Sequence, residues 1–213
     1  MTDPIKEAEQ QYWNSPDLEV QHRLIAGPVK WEDSEAATAH HWSIISHGVP
    51  VPSGAGVLEI GCGLGRILKY LTADKSIACV AGVDISSNML VNAKKYLGQE
   101  SVRLELSIDE VLPFDNDSYD FVYSFLVFQH IPTRERVNRY LAEVYRVLKP
   151  GGYVRIQTYR GMPHDQSSYG FTHGYFYTSL DELAADFSAA GFEIMNRQED
   201  FGHQFWLWIT AKK

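Results

Sequence analysis

Residues Val57 to Ile67 read Val-Leu-Glu-Ile-Gly-Cys-Gly-Leu-Gly-Arg-Ile, and no other stretch restricts the fold as strongly. The first four residues suit a short buried strand. The alternating glycines Gly61, Gly63 and Gly65 then mark a turn that side chains would obstruct. From Leu64 onward, Ile67, Leu68 and Leu71 recur at helical spacing. Strand, glycine turn and helix start, in that order, form the nucleotide-binding corner of a doubly wound α/β sheet.

The spacing is G-x-G-x-G, not the G-x-G-x-x-G of dinucleotide binders, and Glu59 stands two residues before the first glycine. A pyrophosphate at a helix N-terminus needs donors and positive potential. A carboxylate aimed there would repel it, which disfavours a nicotinamide-dependent oxidoreductase. A ligand with a cationic amino-acid end would be attracted instead. Here the chain resembles the class I S-adenosylmethionine-dependent methyltransferases, whose signature has an acidic residue two before G-x-G-x-G. The resemblance implies an α/β, Rossmann-like, doubly wound and mostly parallel seven-stranded sheet, with an antiparallel C-terminal edge strand and a helical N-terminal cap. It also implies S-adenosylmethionine as cofactor, S-adenosylhomocysteine as product, and a cradle formed by Glu59, Gly61, Cys62, Gly63 and Gly65.

Ala78 to Val83 reads as a second strand, followed by Asp84-Ile85-Ser86. In this fold an acidic side chain at that strand end reaches the ribose hydroxyls. Asp84 could instead start the next helix, but Ser86 or Ser87 suits that role. Asp84 is therefore assigned to ribose, with Ile85 and Met89 as apolar neighbours of adenine. A third strand spans Val102 to Leu106. Beyond it, Leu112-Pro113-Phe114, a polar turn and Tyr119-Asp120 resemble another family segment. Family members place an aspartate four residues before that leucine to accept from the adenine amino group, and here the position is Ile108. Either Asp109 takes the role after a one-residue slip, or backbone groups read adenine while Ile108 packs on the ring. Both residues are expected near adenine.

Phe121 to Phe125 reads as the fourth strand. In the resembling family the residues at its end, here Phe125 and Leu126, form the floor of the methyl-transfer site, and backbone carbonyls there hold the cofactor's ammonium. His130 follows, with an intrinsic pKa suited to a general base, although a histidine beside an apolar run is also a common structural residue. The sulfonium is already an activated leaving group, so in-line positioning and exclusion of water supply most of the acceleration. No strict catalytic constellation is expected.

Thr133 to Leu148 is the clearest helix, with Val137, Leu141, Val144 and Leu148 on one face. Arg134, Arg136, Arg139 and Arg146, interleaved with Glu135 and Glu143, read as its solvated outer face. Lys149-Pro150-Gly151-Gly152 ends the helix and matches a family hallmark. A fifth strand runs from Tyr153 to Tyr159. The aromatic and histidine-rich stretch 160–178 reads either as a lid over the acceptor or as a self-packed loop or dimer contact. Tyr159, His164, His173 and Tyr175 are candidate acceptor contacts. Ser179 to Glu182 forms a capping box, and two final strands put Trp206 and Trp208 on one face.

Residues 1–52 read as a helical cap and 53–213 as the methyltransferase domain. Trp13 and Trp31 either pack the cap or line the substrate pocket. A net charge of −8 argues against general nucleic-acid binding. The two cysteines, Cys62 and Cys79, fall in stretches read as core, which excludes a disulfide framework and favours the cytoplasm. No membrane-length apolar run or leader peptide is read. No residues have metal-ligand spacing, since the adjacent His40 and His41 diverge on a helix. The expectation is a soluble monomer or homodimer that methylates a small-molecule acceptor, at oxygen or nitrogen rather than carbon or sulfur. Another transfer from the same cofactor would need a carboxylate pair beside the fourth strand, and Ser124 to Gln129 contains none. A non-catalytic cofactor-binding partner that acts through protein contacts is the remaining alternative.

Overall fold

The structure is a computed structural model that describes residues 11–26, 30–98, 101–161, 175 and 177–213. Seven strands, β1 (Ala55–Ile60), β2 (Ile77–Asp84), β3 (Val102–Leu106), β4 (Tyr119–Ser124), β5 (Leu148–Tyr159), β6 (Glu193–Glu199) and β7 (Trp206–Lys212), form one sheet. Their order is β3-β2-β1-β4-β5-β7-β6. β1 pairs in parallel with β2 and β4, β2 with β3, and β4 with β5. β7 runs antiparallel to β5 and β6, so the reversed strand lies one place in from the sheet's edge.

Helices α1 (Leu18–Ala26), α2 (Trp31–Ala36) and α3 (Thr38–Ile45) precede β1. The connections carry α4 (Arg66–Thr72), α5 (Ser87–Leu97), α6 (Arg134–Val147) and α7 (Leu180–Ala189). Residues 1–10 of the expected helical cap lie outside the described residues, and its described part carries the short helices α1, α2 and α3. All six residues of central β1 are buried. On one face of the sheet Val137, Leu141 and Val144 of α6 join Leu183 and Phe187 of α7 in an apolar core. On the other, Ile45 of α3 and Leu68 and Leu71 of α4 pack with Phe121, Tyr123 and Trp208. Trp206 and Trp208 share this second face as expected, with ring centroids 5.2 and 5.9 Å from Phe125.

Two expectations are corrected. The arginines of α6 are only in part a solvated face: Arg134 and Arg139 stay nearly half exposed, but each also holds a carboxylate. Buried Arg136 pairs with buried Glu110, and Arg139 joins them. Arg134 forks onto Asp186 of α7, and Arg146 donates to the carbonyls of Leu112 and Phe114. A guanidinium supplies several donors in a rigid fork, and here these donors tie α6 to the chain before β4 and to α7. Cys79 is exposed rather than buried like Cys62, because it stands near the amino end of β2, before the buried run Val80–Val83. Half of the expected capping box forms: the Ser179 hydroxyl accepts from the Glu182 N–H at 3.2 Å. The Glu182 carboxylate reaches back to the Thr178 N–H at 2.9 Å.

Candidate active site at the carboxyl edge of the sheet

The strand order reverses between β1 and β4, and open α/β sheets bind ligands outside the carboxyl ends of the strands at such a point. A cavity of about 710 Å³ lies there, within the range of small-molecule sites. It crosses the ends of β2, β1, β4 and β5 and reaches Phe205 just before β7. At ~4.8 Å per strand this is roughly 19 Å of sheet edge.

The glycine turn has the conformation its sequence requires. Gly61 has φ 74°, and a Cβ there would lie 2.3 Å from Cγ2 of Val127. Gly63 has φ 51°, with Cδ1 of Ile25 2.8 Å from the same notional atom. Both line the cavity with Cys62. Gly65 does not, and instead caps α4 in the left-handed conformation, with its N–H on the Cys62 carbonyl at 2.8 Å.

Asp84 ends β2. Its Oδ2 accepts the Gly63 N–H at 2.8 Å and its Oδ1 the Ser86 N–H at 2.9 Å. Burial raises its pKa, and these N–H bonds oppose the rise. Each oxygen keeps a second lone pair for a ligand hydroxyl. Ser86 caps α5 by accepting from the Met89 N–H at 3.1 Å. Asn14 adds a cap from a distant part of the chain, its Oδ1 accepting from the Asn88 N–H at 3.0 Å and the Ser86 hydroxyl at 3.1 Å. Asp84, Ile85 and Met89 all line the cavity.

Glu59 is 5% exposed, and its Oε2 has no hydrogen-bond partner among the described residues. Burial pushes its pKa up to about 8, against the pull of the Tyr123 hydroxyl and Arg66. A fixed negative charge was expected here. The buried carboxyl instead keeps its proton around neutral pH, because the charged form lacks solvation. Arg66 was not singled out from sequence. Its Nη1 donates to the Ser34 carbonyl at 3.0 Å and the Thr38 hydroxyl at 2.9 Å, and lies 3.1 Å from His41 Nδ1. His41 is pushed down to about 4, first by burial and then by Arg66 and His40. The one available signal was a cation in the first turn of a helix, where the macrodipole disfavours it.

Phe125, Leu126, His130 and Tyr159 line the cavity, as do Trp13 and Trp31 from the cap. The Trp13 and His130 rings meet edge-on at 5.1 Å, and Trp31 stacks on His22 at 4.5 Å. Other expected contacts are not part of the lining. Ile108 is 54% exposed and bridges to Val111, while Asp109 and Glu110 have φ of 56° and 63°. That tight turn carries Ile108 and Asp109 out of the cavity wall and leaves Ser107 in it. Tyr175 packs edge-on against Tyr177 at 5.0 Å, with its hydroxyl on the Glu182 carboxylate. His164 and His173 lie outside the described residues. Leu24, Ile25, Gln129, Arg160 and Phe205 also line the cavity and were not anticipated, since nothing periodic marks them. Among the described residues no group of three or more His, Cys, Asp or Glu could hold a metal ion.

A Rossmann-like sheet with this strand order and a glycine-turn cavity at its reversal defines a class I methyltransferase fold. The chain matches the family described as methyltransferase domain over residues 58–156, from β1 into β5. Over 146 residues it is 36% identical to phosphoethanolamine N-methyltransferase 2 of Caenorhabditis elegans, covering 65% of this chain and 32% of that one. It is 27% identical to the uncharacterized methyltransferase YdaC of Bacillus subtilis, covering 89% of this chain and 98% of that one. The structure of Haemonchus contortus phosphoethanolamine N-methyltransferase 2 in complex with S-adenosyl-L-methionine superposes with a TM-score of 0.73 at 19% identity, covering 100% of this chain and 60% of that one. The chain spans about a third of the length of several curated relatives, from 32% to 38%.

Proposed function

We propose that the chain transfers a methyl group from S-adenosylmethionine to an oxygen or nitrogen of a small molecule. One observation supports this above the others: a single cavity joins Asp84 and the glycine turn to an aromatic region at Trp13, Tyr159 and Phe205, with His130 in its wall. S-adenosylmethionine, when bound, supplies an activated methyl group on a positive sulfur and leaves as S-adenosylhomocysteine.

The residues fit that ligand. Asp84 accepts from the ribose hydroxyls, and Ile85 and Met89 flank the adenine, with Ser107 taking the wall position that Ile108 and Asp109 were expected to fill. The partnerless Glu59 Oε2 suits an ammonium group, which supplies the missing counter-charge and lets the carboxyl ionise. Phe125 and Leu126 form the floor. Trp13 sets the His130 ring beside the acceptor, where the imidazole takes a proton from a hydroxyl or amine. The largely apolar walls exclude water. The name of the Caenorhabditis relative, an N-methyltransferase, favours nitrogen. The exposed free thiol of Cys79 suits the reducing cytoplasm, and the chain acts there as a monomer or homodimer.

Calorimetric titration with S-adenosylmethionine, and separately with NAD, tests this reading. Micromolar binding of the first and none of the second is expected, with Asp84→Ala weakening the first at least tenfold, about 1.4 kcal/mol. Release of S-adenosylhomocysteine on addition of small amines or phenols then identifies the acceptor class. No binding of S-adenosylmethionine or S-adenosylhomocysteine overturns it.

A further inference from the structure

Leu126 has φ 62°, in the left-handed region where the Cβ of an L-residue crowds its own backbone. It stands two residues past the end of β4 and lines the cavity. A bulky residue stays in such a conformation only where its surroundings hold it. Here the Leu126 N–H donates to Gln157 Oε1 at 2.8 Å. Gln157 lies on neighbouring β5 and is 0% exposed. Its Nε2 donates to the Thr158 carbonyl at 2.8 Å, which fixes the oxygen end of the amide toward Leu126. Across the sheet, the Ser124 hydroxyl anchors the end of β4 to the Ile60 carbonyl at 3.0 Å.

Resting on the function proposed above, the geometry points to Gln157 as a positioning residue for the methionine end of the cofactor, acting through the backbone of Leu126. Its oxygen fixes the plane of the peptide between Phe125 and Leu126. In a trans peptide the Phe125 carbonyl points opposite to that N–H, away from Gln157, as an acceptor for the ligand's ammonium. Gln157 does not line the cavity itself and needs no contact with the ligand.

The test compares two probes that share the nucleoside, S-adenosylhomocysteine and 5′-methylthioadenosine, the second lacking the amino-acid end. Binding of S-adenosylhomocysteine by the wild type checks the functional reading on its own. Gln157→Leu is expected to weaken S-adenosylhomocysteine at least tenfold and to leave methylthioadenosine within twofold. In a Leu126→Gly background, where glycine adopts positive φ freely, the same substitution is expected to cost no more than threefold. An equal loss for both probes, unchanged S-adenosylhomocysteine affinity, or the same loss in both backgrounds overturns the assignment. Should Gln157→Leu fail to fold, Gln157→Met keeps the length of the side chain without the amide and is expected to show the same selective loss, and S-adenosylhomocysteine affinity within threefold of wild type there overturns the assignment.

Discussion

The Asp84 carboxylate accepts the Gly63 N–H at 2.8 Å, so one side chain ties the end of β2 to the turn that follows β1. Its other oxygen holds the Ser86 N–H at 2.9 Å. An amide has one acceptor oxygen and an NH₂ group, so Asp84→Asn leaves one of these N–H groups facing a donor. An unmet donor in a part-buried site costs ~1–3 kcal/mol. Urea unfolding should show a loss of that size, and an unchanged midpoint would mean that the two bonds make no net contribution.

Arg66 joins the cap to the domain through Ser34, Thr38 and His41. All three contacts meet the one nitrogen Nη1, which sits one bond further out than a lysine Nζ reaches. Arg66→Lys is expected to accelerate amide exchange across residues 31–45 while leaving β1 and β4 protected. Loss of a hydrogen bond to a charged group corresponds to about 1.5–3 kcal/mol of local opening free energy. Uniform acceleration across the sheet would show instead that Arg66 supports the whole domain.

What could be read from the sequence was local. The glycine turn, Asp84 after the second strand and the amphipathic α6 are each written within a few residues, in periodicity or in residues that tolerate positive φ. What escaped depended on partners far along the chain. Asn14 caps a helix more than seventy positions away, and Glu110 gathers Arg136 and Arg139 across two elements. An arginine that serves a buried carboxylate and one that faces water look alike in a helical pattern. Ile108 failed for a related reason: counting back from Leu112 assumes extended chain, whereas residues 109 and 110 turn through left-handed conformations. Glu59 lines the cavity, but composition carries no information on how deeply a side chain is buried, so the effect of burial on its proton was not legible.

Burial pushes the Glu59 carboxyl up to about 8 in the folded protein, from its ordinary value of 4.5. The folded state therefore holds this proton to higher pH than the unfolded chain does. The associated stability is fully present below about pH 4.5 and is lost as pH rises through about 8. The slope over that interval is at most about 1.4 kcal/mol per pH unit. Glu59→Gln has no such dependence, so its stability relative to wild type should climb between pH 5 and pH 8 and then level. A constant difference from pH 5 to 9 in denaturant titrations would sink this account. Saturating S-adenosylmethionine should flatten the wild-type slope, since an ammonium beside the carboxyl lowers its pKa.

Gly61 tests why the turn excludes side chains, because two separate costs fall on it. Its φ is 74°, and an added Cβ would lie 2.3 Å from Val127 Cγ2. Gly54 shares the positive φ, 81°, with nothing within 4 Å of the same notional atom. Gly54→Ala is therefore expected to cost only the left-handed penalty, roughly 1–2 kcal/mol. Gly61→Ala adds overpacking worth about 1–3 kcal/mol, and it also pushes Val127 against the segment that carries His130. Trimming the neighbour with Val127→Ala should recover the overpacking part and not the backbone part. The coupling in this double-mutant cycle then measures the clash alone. Equal losses for Gly54→Ala and Gly61→Ala, with no recovery from Val127→Ala, would assign the requirement to backbone conformation and not to the approach of Val127.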